Sequence, residues 1–292
     1  MIDTIIKSIL SRMDRGDNRI FFVETGTDQA GTVAQVAVWF SAMDTRFGRI
    51  TGFKSIRGGG PWYTEPLQFP QLVDVQDARL KIMTIDNFPP AFQNVRKRFP
   101  DNPNIIPVLN SSPTQLEKMI AEGQLDGCER LFYLDAHWED YWPLRDELAQ
   151  VIELKRFVAV IDDCFVPGKS DPRDARSGFG YDVYNGRKLE WNYIRDLFEG
   201  VDFDYRLYYP ERPASAERGY LLLLAGYSRE EEARLVEGLP LFPMAADDPL
   251  HLQFSDIIPN PLGDFKSLVR SLLPLAFVRG TLQFILRLLP SR

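Results

Sequence analysis

The stretch RIFFVETGTDQAGT, residues 19–32, decides the fold that this sequence predicts. It opens with a short apolar run that stops at Glu24, as a buried strand does, and a turn with two glycines follows. An apolar helix of roughly residues 31–43 comes next, and an amphipathic helix over residues 1–18 precedes the strand. Strand, turn and helix in this order make the first unit of an α/β protein.

The same alternation resumes after residue 79. Apolar strands are predicted at residues 80–86, 105–109, 130–135, 156–162, 204–209 and 220–226, with helices at 89–99, 113–123, 142–154 and 187–199. Only a short irregular stretch separates the last two strands, so we expect the last one to return antiparallel at the edge. Continuous apolar strands are buried on both faces, which predicts a doubly wound, mostly parallel, Rossmann-like sheet of seven strands with an antiparallel last strand.

Composition limits the classes of protein to consider. The chain has 292 residues, of which 45% are apolar, so it can bury a large core and is not a disordered protein. Its net charge of −7 argues against a general nucleic-acid binder. Cys128 and Cys164 form no zinc or disulfide pattern, and no signal peptide or membrane span is evident. We therefore expect a cytoplasmic protein.

The main domain is predicted to span residues 19–227. Two segments within it and one segment beyond it depart from the alternating pattern of strands and helices. Residues 47–79 contain RGGGPWYTEP and are predicted to be an insertion or flap. Residues 165–185, rich in Gly, Pro, Asp and Ser, are too long for a simple connection and predict a lid loop. Residues 228–292 are predicted to form a C-terminal helical appendage.

The end of this appendage, residues 264–292, is basic and amphipathic. It carries a net charge of +4, and its apolar residues follow two helical faces separated by Pro274. Such a segment can pack on its own domain or on a second subunit of a homo-oligomer. It can also attach peripherally to an anionic membrane surface, and the sequence leaves these alternatives open.

Acidic residues stand at the ends of four of the first five strands. They are Glu24, Asp86, Asp135 and Asp162, and Asp163 follows directly. The carboxyl ends of parallel strands lie at one edge of a sheet, where ligands bind in open α/β folds. Unpaired carboxylates there would raise one another's pKa values, so we expect hydroxyls, amines, backbone N–H groups or a metal cation among them.

The turn after the first strand excludes two phosphate-binding motifs. Gly26 and Gly31-Thr32 have the spacing of a P-loop without its lysine, and the pattern is not GxGxxG. A triphosphate there would also face Glu24. A cationic or neutral ligand rich in hydroxyls fits better, and Asp86 can accept two hydrogen bonds from a ribose diol.

ETGTDQAGT at 24–32, followed by TID at 84–86, resembles the glycine motif and acidic strand end of class I S-adenosylmethionine-dependent methyltransferases. The resemblance covers roughly residues 18–227 and implies that fold and S-adenosyl-L-methionine as cofactor. It implies contacts to the methionine part from Glu24, Gly26 and Gly31, to the ribose from Asp86 and to the adenine from Ser111 and Ser112, with Thr27, Thr32 and Asp135 also in the cofactor site.

LDAHWEDYWP at 134–143 and VIDDC at 160–164 resemble the metal-dependent sugar O-methyltransferases of the macrocin and novobiocin type. Matched position by position, the implied magnesium ligands are Asp135, Asp162 and Asp163. An all-oxygen set of this kind suits Mg²⁺ rather than zinc. By the same resemblance His137 would be the general base, and a structural role or direct metal ligation are its alternatives.

Trp138, Tyr141 and Asp182 are the residues expected to contact the methyl acceptor. Aromatic faces stack on sugar rings, although aromatic side chains at this spacing are also common in cores. The predicted activity is Mg²⁺-dependent methyl transfer to a hydroxyl of a sugar or another small polar metabolite, with no nucleic-acid partner. The alternatives are a metal-assisted hydroxylase on the same scaffold, a non-catalytic cofactor-binding protein and a membrane-associated protein.

Overall fold

The computed structural model describes most of the domain and part of the appendage. The described residues are 2–13, 19–27, 30–43, 49–57, 66–73, 80–100, 102, 104–137, 141–169, 179–213, 218–248 and 251, with the backbone alone for 2–4, 38–43, 49–57 and 66–73. The chain divides into one unit of Met1–Tyr184 and Lys188–Ser255 and a second of Asn185–Arg187 and Asp256–Arg292. The main sheet belongs entirely to the first unit.

Helices and strands alternate along most of the described chain. The helices are α1 (Ile2–Met13), α2 (Gly31–Met43), α3 (Pro89–Arg98), α4 (Ser112–Ala121), α5 (Leu144–Ile152), α6 (Trp191–Ile194) and α7 (Arg229–Val236). The strands are β1 (Arg19–Thr25), β2 (Arg49–Arg57), β3 (Pro66–Val73), β4 (Leu80–Asp86), β5 (Ile105–Leu109), β6 (Cys128–Leu134), β7 (Phe157–Ile161), β8 (Val183–Tyr184), β9 (Arg187–Lys188), β10 (Tyr205–Pro210), β11 (Leu221–Ala225) and β12 (Leu241–Met244). A short 3-10 helix, Arg195–Phe198, follows α6.

The main sheet has eight strands in the order β12-β10-β11-β7-β6-β1-β4-β5. Strands β5, β4, β1, β6 and β7 are parallel, and β11 is antiparallel to both of its neighbours. The predicted doubly wound, mostly parallel, Rossmann-like sheet is therefore confirmed.

Two details of the sheet differ from the prediction. The antiparallel strand β11 lies inside the sheet rather than at its edge, because all five of its residues are buried and an interior strand is covered on both faces. The edge is taken by an eighth strand, β12, which pairs antiparallel with β10. This strand belongs to residues 228–292, predicted to be helical, and only α7 fits that prediction among the described residues. Pro243 suits an edge strand, where one side of the backbone has no partner to donate to.

Side chains alternate between the two faces of the sheet and build a core on each. Ile20 and Phe22 of β1 belong to a buried cluster with residues of α1, α2, α3 and α7. Phe21 and Val23 belong to a second cluster with residues of α4, α5 and α6, including the fully buried Trp191. The period of two along β1 places one set on each face, which is why the strand reads as a continuous apolar run.

Within the predicted insertion, residues 47–79, strands β2 and β3 form a two-stranded antiparallel sheet of their own. Its register shifts between Ile50 and Phe53. The terminal segment 264–292 lies outside the described residues, as does the middle of the predicted lid loop, residues 170–178. Among the helices that are described, none is long and apolar enough to cross a bilayer.

Gly26 brings the end of β1 against the end of β6. Its φ is +80°, and a Cβ built on it would lie 2.3 Å from the backbone oxygen of Asp135. The Gly26 amide also donates to the carbonyl of Ile85 at 3.0 Å. Only a residue without a side chain fits this turn, since the left-handed conformation and the close approach both exclude a Cβ.

Replacing Gly26 with alanine is therefore expected to destabilise the fold. Backbone strain alone costs about 1–3 kcal/mol, and the contact with Asp135 adds to that. Gly31→Ala is the matched control, because no atom of the described residues lies within 4 Å of a Cβ built there. Urea unfolding of both variants measures the difference. Equal unfolding free energies would mean that Gly26 is not held in this conformation.

Candidate functional site

The candidate site lies where the strand order reverses. The chain proceeds from β1 to β4 and β5 on one side, then crosses to β6 and β7 on the other side of β1. This topological switch point lies at the carboxyl ends of β1 and β6, the usual place for a ligand in an open α/β sheet. The predicted acidic residues follow β1, β4, β6 and β7, so the topology brings them to this edge.

Glu24 is the deepest acidic residue of the site, with 2% of its surface exposed. Its Oε2 accepts a hydrogen bond from the Thr84 hydroxyl at 2.8 Å, and that hydroxyl lies 2.6 Å from the hydroxyl of Thr27. Burial raises the pKa of Glu24 to about 8, the charge of Asp135 adds to the shift, and hydrogen bonds from Thr84 and Thr32 oppose it. A cation bound beside this carboxyl group would stabilise its ionised form.

Asp86 ties the glycine turn to the end of β4. Its Oδ2 accepts the backbone N–H of Thr27 at 2.9 Å, and its Oδ1 accepts that of Phe88 at 2.8 Å. Both carboxylate oxygens therefore stabilise local backbone. Phe88 is 59% exposed beside it.

The predicted adenine contacts, Ser111 and Ser112, begin α4. Ser111 is half-buried at the residue before the helix, and Ser112 is buried with its hydroxyl donated to the carboxylate of Glu147. Glu147 on α5 was not predicted as a site residue. Burial raises its pKa to about 7, and the hydrogen bond from Ser112 opposes the shift.

A helical pattern could have identified Glu147. On α5 the buried positions are Leu144, Glu147, Leu148 and Val151, the spacing of one helix face. An acidic residue in the middle of an otherwise apolar face is a sign of a buried partner or of a site.

Beyond the ends of β6 and β7, Asp135, His137 and Asp163 offer ligand atoms that all lie within 4.8 Å of one another. This is the candidate metal group of the described residues. Asp163 has a left-handed backbone, with φ of +52°. Burial raises its pKa to about 6, the charge of Asp182 adds to the shift, and Arg218 opposes it.

His137 lies between two carboxylates. Its Nε2 is 3.2 Å from Oδ1 of Asp135, and its Nδ1 is 3.3 Å from Oδ2 of Asp182. Burial by itself lowers the pKa of His137, but the hydrogen bond and charge of Asp135, with the charges of Asp182 and Asp163, outweigh burial and raise it. The ring is therefore protonated more readily than a free histidine.

The carboxylate of Asp162 does not contact the same groups as that of Asp163. Its Oδ2 accepts the Tyr133 hydroxyl at 2.5 Å, and its Oδ1 accepts the N–H of Asp163 at 2.9 Å. Asp162 does not belong to the metal group that the described residues form. Burial raises its pKa to about 7, with Asp135 adding to the shift. The structure thus places two of the three predicted metal ligands, Asp135 and Asp163, in one group.

Asp182 is fixed against the metal group by the chain that follows β7. Its amide donates to the carbonyl of Asp163 at 2.9 Å, and the neighbouring Gly180 carbonyl accepts the amide of Gly219 at 2.8 Å. Arg218 contacts a carboxylate oxygen of Asp182 and lies 3.6 Å from Oδ2 of Asp163. The predicted substrate residue Asp182 therefore contacts His137 and Arg218.

Arg218 is a functional residue that sequence reasoning missed. It lies just before β11, and the antiparallel pairing of Leu221 with Ile161 sets the start of β11 beside the end of β7. A residue preceding β11 must then face the acidic pair that follows β7. The expected antiparallel return could have identified it.

Of the two aromatic residues predicted to contact the acceptor, Trp138 lies outside the described residues. Tyr141 is 38% exposed, and its hydroxyl donates to Asp146. The buried Trp142 stacks on Tyr193, with ring centroids 4.9 Å apart, and its ring centroid is 6.4 Å from that of His137.

Comparison with known proteins gives only distant likenesses. No family model and no curated protein sequence matches the chain. Protein LPL1258 from Legionella pneumophila, of the family DUF519, is 11% identical over 80% of this chain and 89% of that one, with a TM-score of 0.42. The N-methyltransferase NodS from Bradyrhizobium japonicum is 12% identical over 77% and 93%, with a TM-score of 0.38.

The CurJ carbon methyltransferase is 10% identical over 77% of this chain and 54% of that one, with a TM-score of 0.42. Likenesses of this strength carry no conclusion about the activity of this chain. Its function has to be argued from the side chains at the switch point.

The buried Glu24 makes stability depend on pH. Its pKa is raised, so the folded chain holds this proton more tightly than the unfolded chain, and its contribution is lost as the pH rises through about 8. Glu24→Gln stays neutral and keeps an acceptor for Thr84. The variant should therefore melt at a higher temperature than the wild type at about pH 9, and the two should converge near about pH 5.

Differential scanning calorimetry at both pH values measures this, with the exposed Glu117→Gln on α4 as the control. A constant difference between Glu24→Gln and the wild type at the two pH values would contradict the raised pKa.

Proposed function

We propose that the protein is an S-adenosyl-L-methionine-dependent methyltransferase whose site also binds a divalent cation. The observation that supports this most directly is the set of groups that meet at the switch point. The glycine turn and the buried Glu24 lie at the end of β1, and Asp135, His137 and Asp163 form a candidate metal group after β6 and β7.

The residues around the glycine turn fit the proposed cofactor. Its sulfonium and ammonium groups are cations, and Glu24 is a buried carboxyl group whose ionisation a nearby cation would favour. Asp86 ends β4 and bonds the backbone of the glycine turn, the position from which a carboxylate can bind ribose hydroxyls. Contacts of Ser111 and Ser112 with the adenine stay predictions, although the Ser112 hydroxyl already donates a hydrogen bond to Glu147.

The metal group also fits a divalent cation. Ligands on opposite sides of an octahedral Mg²⁺ are about 4.2 Å apart, from bond lengths of about 2.1 Å, and the three ligand atoms here lie within 4.8 Å of one another. Small side-chain movements would close the group around an ion. Two carboxylates and an imidazole suit Mn²⁺ as well as Mg²⁺, because nitrogen ligands favour transition metals.

The proposed roles of the chain follow from this geometry. When bound, S-adenosyl-L-methionine would supply a methyl group and leave as the neutral thioether S-adenosylhomocysteine, and the cation would lower the pKa of an acceptor hydroxyl so that its proton can pass to solvent. Glu24 and Asp86 hold the donor across the Gly26 turn, while Asp135 and Asp163 fix the cation beside it. Alignment of donor and acceptor by such contacts accounts for much of the rate in reactions of this kind.

His137 serves as a metal ligand rather than as the general base in this proposal. Both ring nitrogens face carboxylates, and the ring is protonated readily in the absence of a metal. Cation binding would displace the proton on Nε2, so metal affinity should rise with pH.

The proposed acceptor is a hydroxyl of a sugar or another small polar metabolite. Tyr141 is 38% exposed, and Trp142, whose ring centroid is 6.4 Å from that of His137, stacks on Tyr193. Rings of this kind favour flat, partly apolar acceptors that carry hydroxyls.

One alternative gains from the nitrogen ligand. Imidazole is a ligand that suits iron as well, so a metal-assisted hydroxylase on the same scaffold is the second candidate, although the group has one histidine and two carboxylates. Iron in the protein as purified, with no methyl transfer to any sugar, would favour the hydroxylase.

The variant Asp163→Asn tests metal binding and cofactor binding independently. Asparagine tolerates the left-handed backbone at this position, so the fold should be retained. Calorimetric titration should show S-adenosylhomocysteine binding as in the wild type and Mn²⁺ binding weakened at least about tenfold, because a charged ligand is lost. Asp204→Asn, at a side chain that is 83% exposed, is the matched control.

Methyl transfer from labelled S-adenosyl-L-methionine to a panel of sugars should stop in EDTA and return with Mn²⁺ or Mg²⁺. Wild-type protein that binds neither S-adenosylhomocysteine nor Mn²⁺ would refute the proposed function. Binding of the first without the second would leave a metal-independent methyltransferase.

A further inference from the structure

We propose that Asp162, held by the hydroxyl of Tyr133, is a positioning residue that fixes the left-handed turn at Asp163 and so directs the Asp163 carboxylate into the metal group. Asp162 would then act on a bound cation through Asp163 and not as one of its ligands. The part of this inference that concerns the cation rests on the proposed function, whereas the hold on the Asp163 backbone can be tested without any metal.

The backbone at Asp163 needs contacts that hold it. A left-handed φ such as its +52° is uncommon for a residue with a side chain, and such a conformation persists only when the surrounding structure enforces it. The amide of Asp163 donates to Oδ1 of Asp162 at 2.9 Å, and its carbonyl accepts the amide of Asp182 at 2.9 Å. A side-chain oxygen that accepts a neighbouring amide favours a turn over continued strand. Asp162 therefore supplies one of the contacts that set the direction of Asp163.

Asp162 is itself fixed from the neighbouring strand. Its amide continues the parallel pairing of β7 with β6 by donating to the carbonyl of Leu134 at 3.2 Å, and its Oδ2 accepts the Tyr133 hydroxyl at 2.5 Å. Tyr133 belongs to β6 and is only 5% exposed, so close packing restricts its ring. Each carboxylate oxygen of Asp162 thus has a partner in the fold, and Asp162 does not belong to the metal group that the described residues form.

The variants Asp162→Asn and Asp162→Ala should behave differently if this role is correct. In Asp162→Asn the side chain keeps an oxygen for the Asp163 amide, and its NH₂ group can donate to the Tyr133 hydroxyl, which can also accept. In Asp162→Ala both contacts are lost. A metal ligand would behave otherwise, because both substitutions remove the charged oxygen that binds the cation.

Amide hydrogen exchange, followed by NMR on the metal-free protein, tests the hold on the backbone. In Asp162→Ala the Asp163 amide should exchange about tenfold faster than in the wild type, because one hydrogen bond is lost. In Asp162→Asn it should exchange as in the wild type. The amide of Cys164, which donates to the carbonyl of Gly219 at 3.0 Å, is the internal reference.

Two results of this exchange experiment would overturn the inference. One is an Asp163 amide that Asp162→Ala leaves unchanged. The other is an equal acceleration at Cys164, which would make Asp162 a residue that stabilises the whole turn and does not position Asp163 in particular.

Calorimetric titration with Mn²⁺ alone gives the second measurement. Asp162→Ala should weaken Mn²⁺ binding about 10–100-fold, as the loss of a residue that orients a ligand does, and Asp162→Asn should weaken it less than about tenfold. Asp204→Asn, at a side chain that is 83% exposed, should leave it unchanged. Equal and large losses in both Asp162 variants would identify Asp162 as a ligand and overturn the inference.

Tyr133→Phe distinguishes the two roles by the sign of its effect. When Asp162 acts through Asp163, loss of the Tyr133 hydroxyl loosens Asp162 and should weaken Mn²⁺ binding about two- to tenfold, the range for one lost hydrogen bond. A ligand held away from the cation by Tyr133 would instead bind it more strongly in this variant. Unchanged or stronger binding would therefore overturn the inference. Tyr208→Phe is the matched control, because the buried Tyr208 donates its hydroxyl to Glu232 on α7.

These measurements separate the inference from the proposed function. A wild type that binds no Mn²⁺ but shows the expected amide exchange would refute the metal site and support the hold of Asp162 on the Asp163 backbone. Mn²⁺ binding by the wild type without the expected exchange would leave the metal site standing and refute the positioning role.

Discussion

The carboxyl ends of parallel strands lie at one edge of a sheet. In this protein that edge carries several acidic groups, and burying their charges without partners is energetically unfavourable. Glu24, Asp162 and Asp163 all have pKa values raised by burial. Arg218 and His137 compensate part of the negative charge. The negative charge that these two residues do not compensate favours the binding of cations at this edge of the sheet. A cationic methyl donor and a divalent ion would each compensate this negative charge, which is why the proposed function contains both.

Much of the fold could be predicted because continuous apolar runs have few solutions other than strands buried on both faces. The order of strands and helices and the antiparallel β11 follow from run lengths and connections. Strand β12 could not be predicted so easily. It has four residues, one of them Pro243, and is stabilised by pairing with β10 rather than by its own pattern. Tertiary contacts decide such a short segment.

The candidate site was predictable to the extent that strand ends determine it. The acidic pair lies in the turn after β7, where the left-handed backbone of Asp163 turns the two side chains to different partners. Asp162 meets Tyr133, whereas Asp163 joins Asp135. The contribution of Arg218 depends on pairing between segments far apart in the chain, and no local pattern contains it.

The left-handed backbone at Asp163 has a consequence for how this protein can change over generations. Among residues with side chains, aspartate and asparagine are the ones that adopt this conformation with least strain. Their codons differ at a single base. One point mutation could therefore remove the charge that would hold a cation and leave the chain intact as a binding protein, so the passage from catalyst to non-catalytic relative is short at this position.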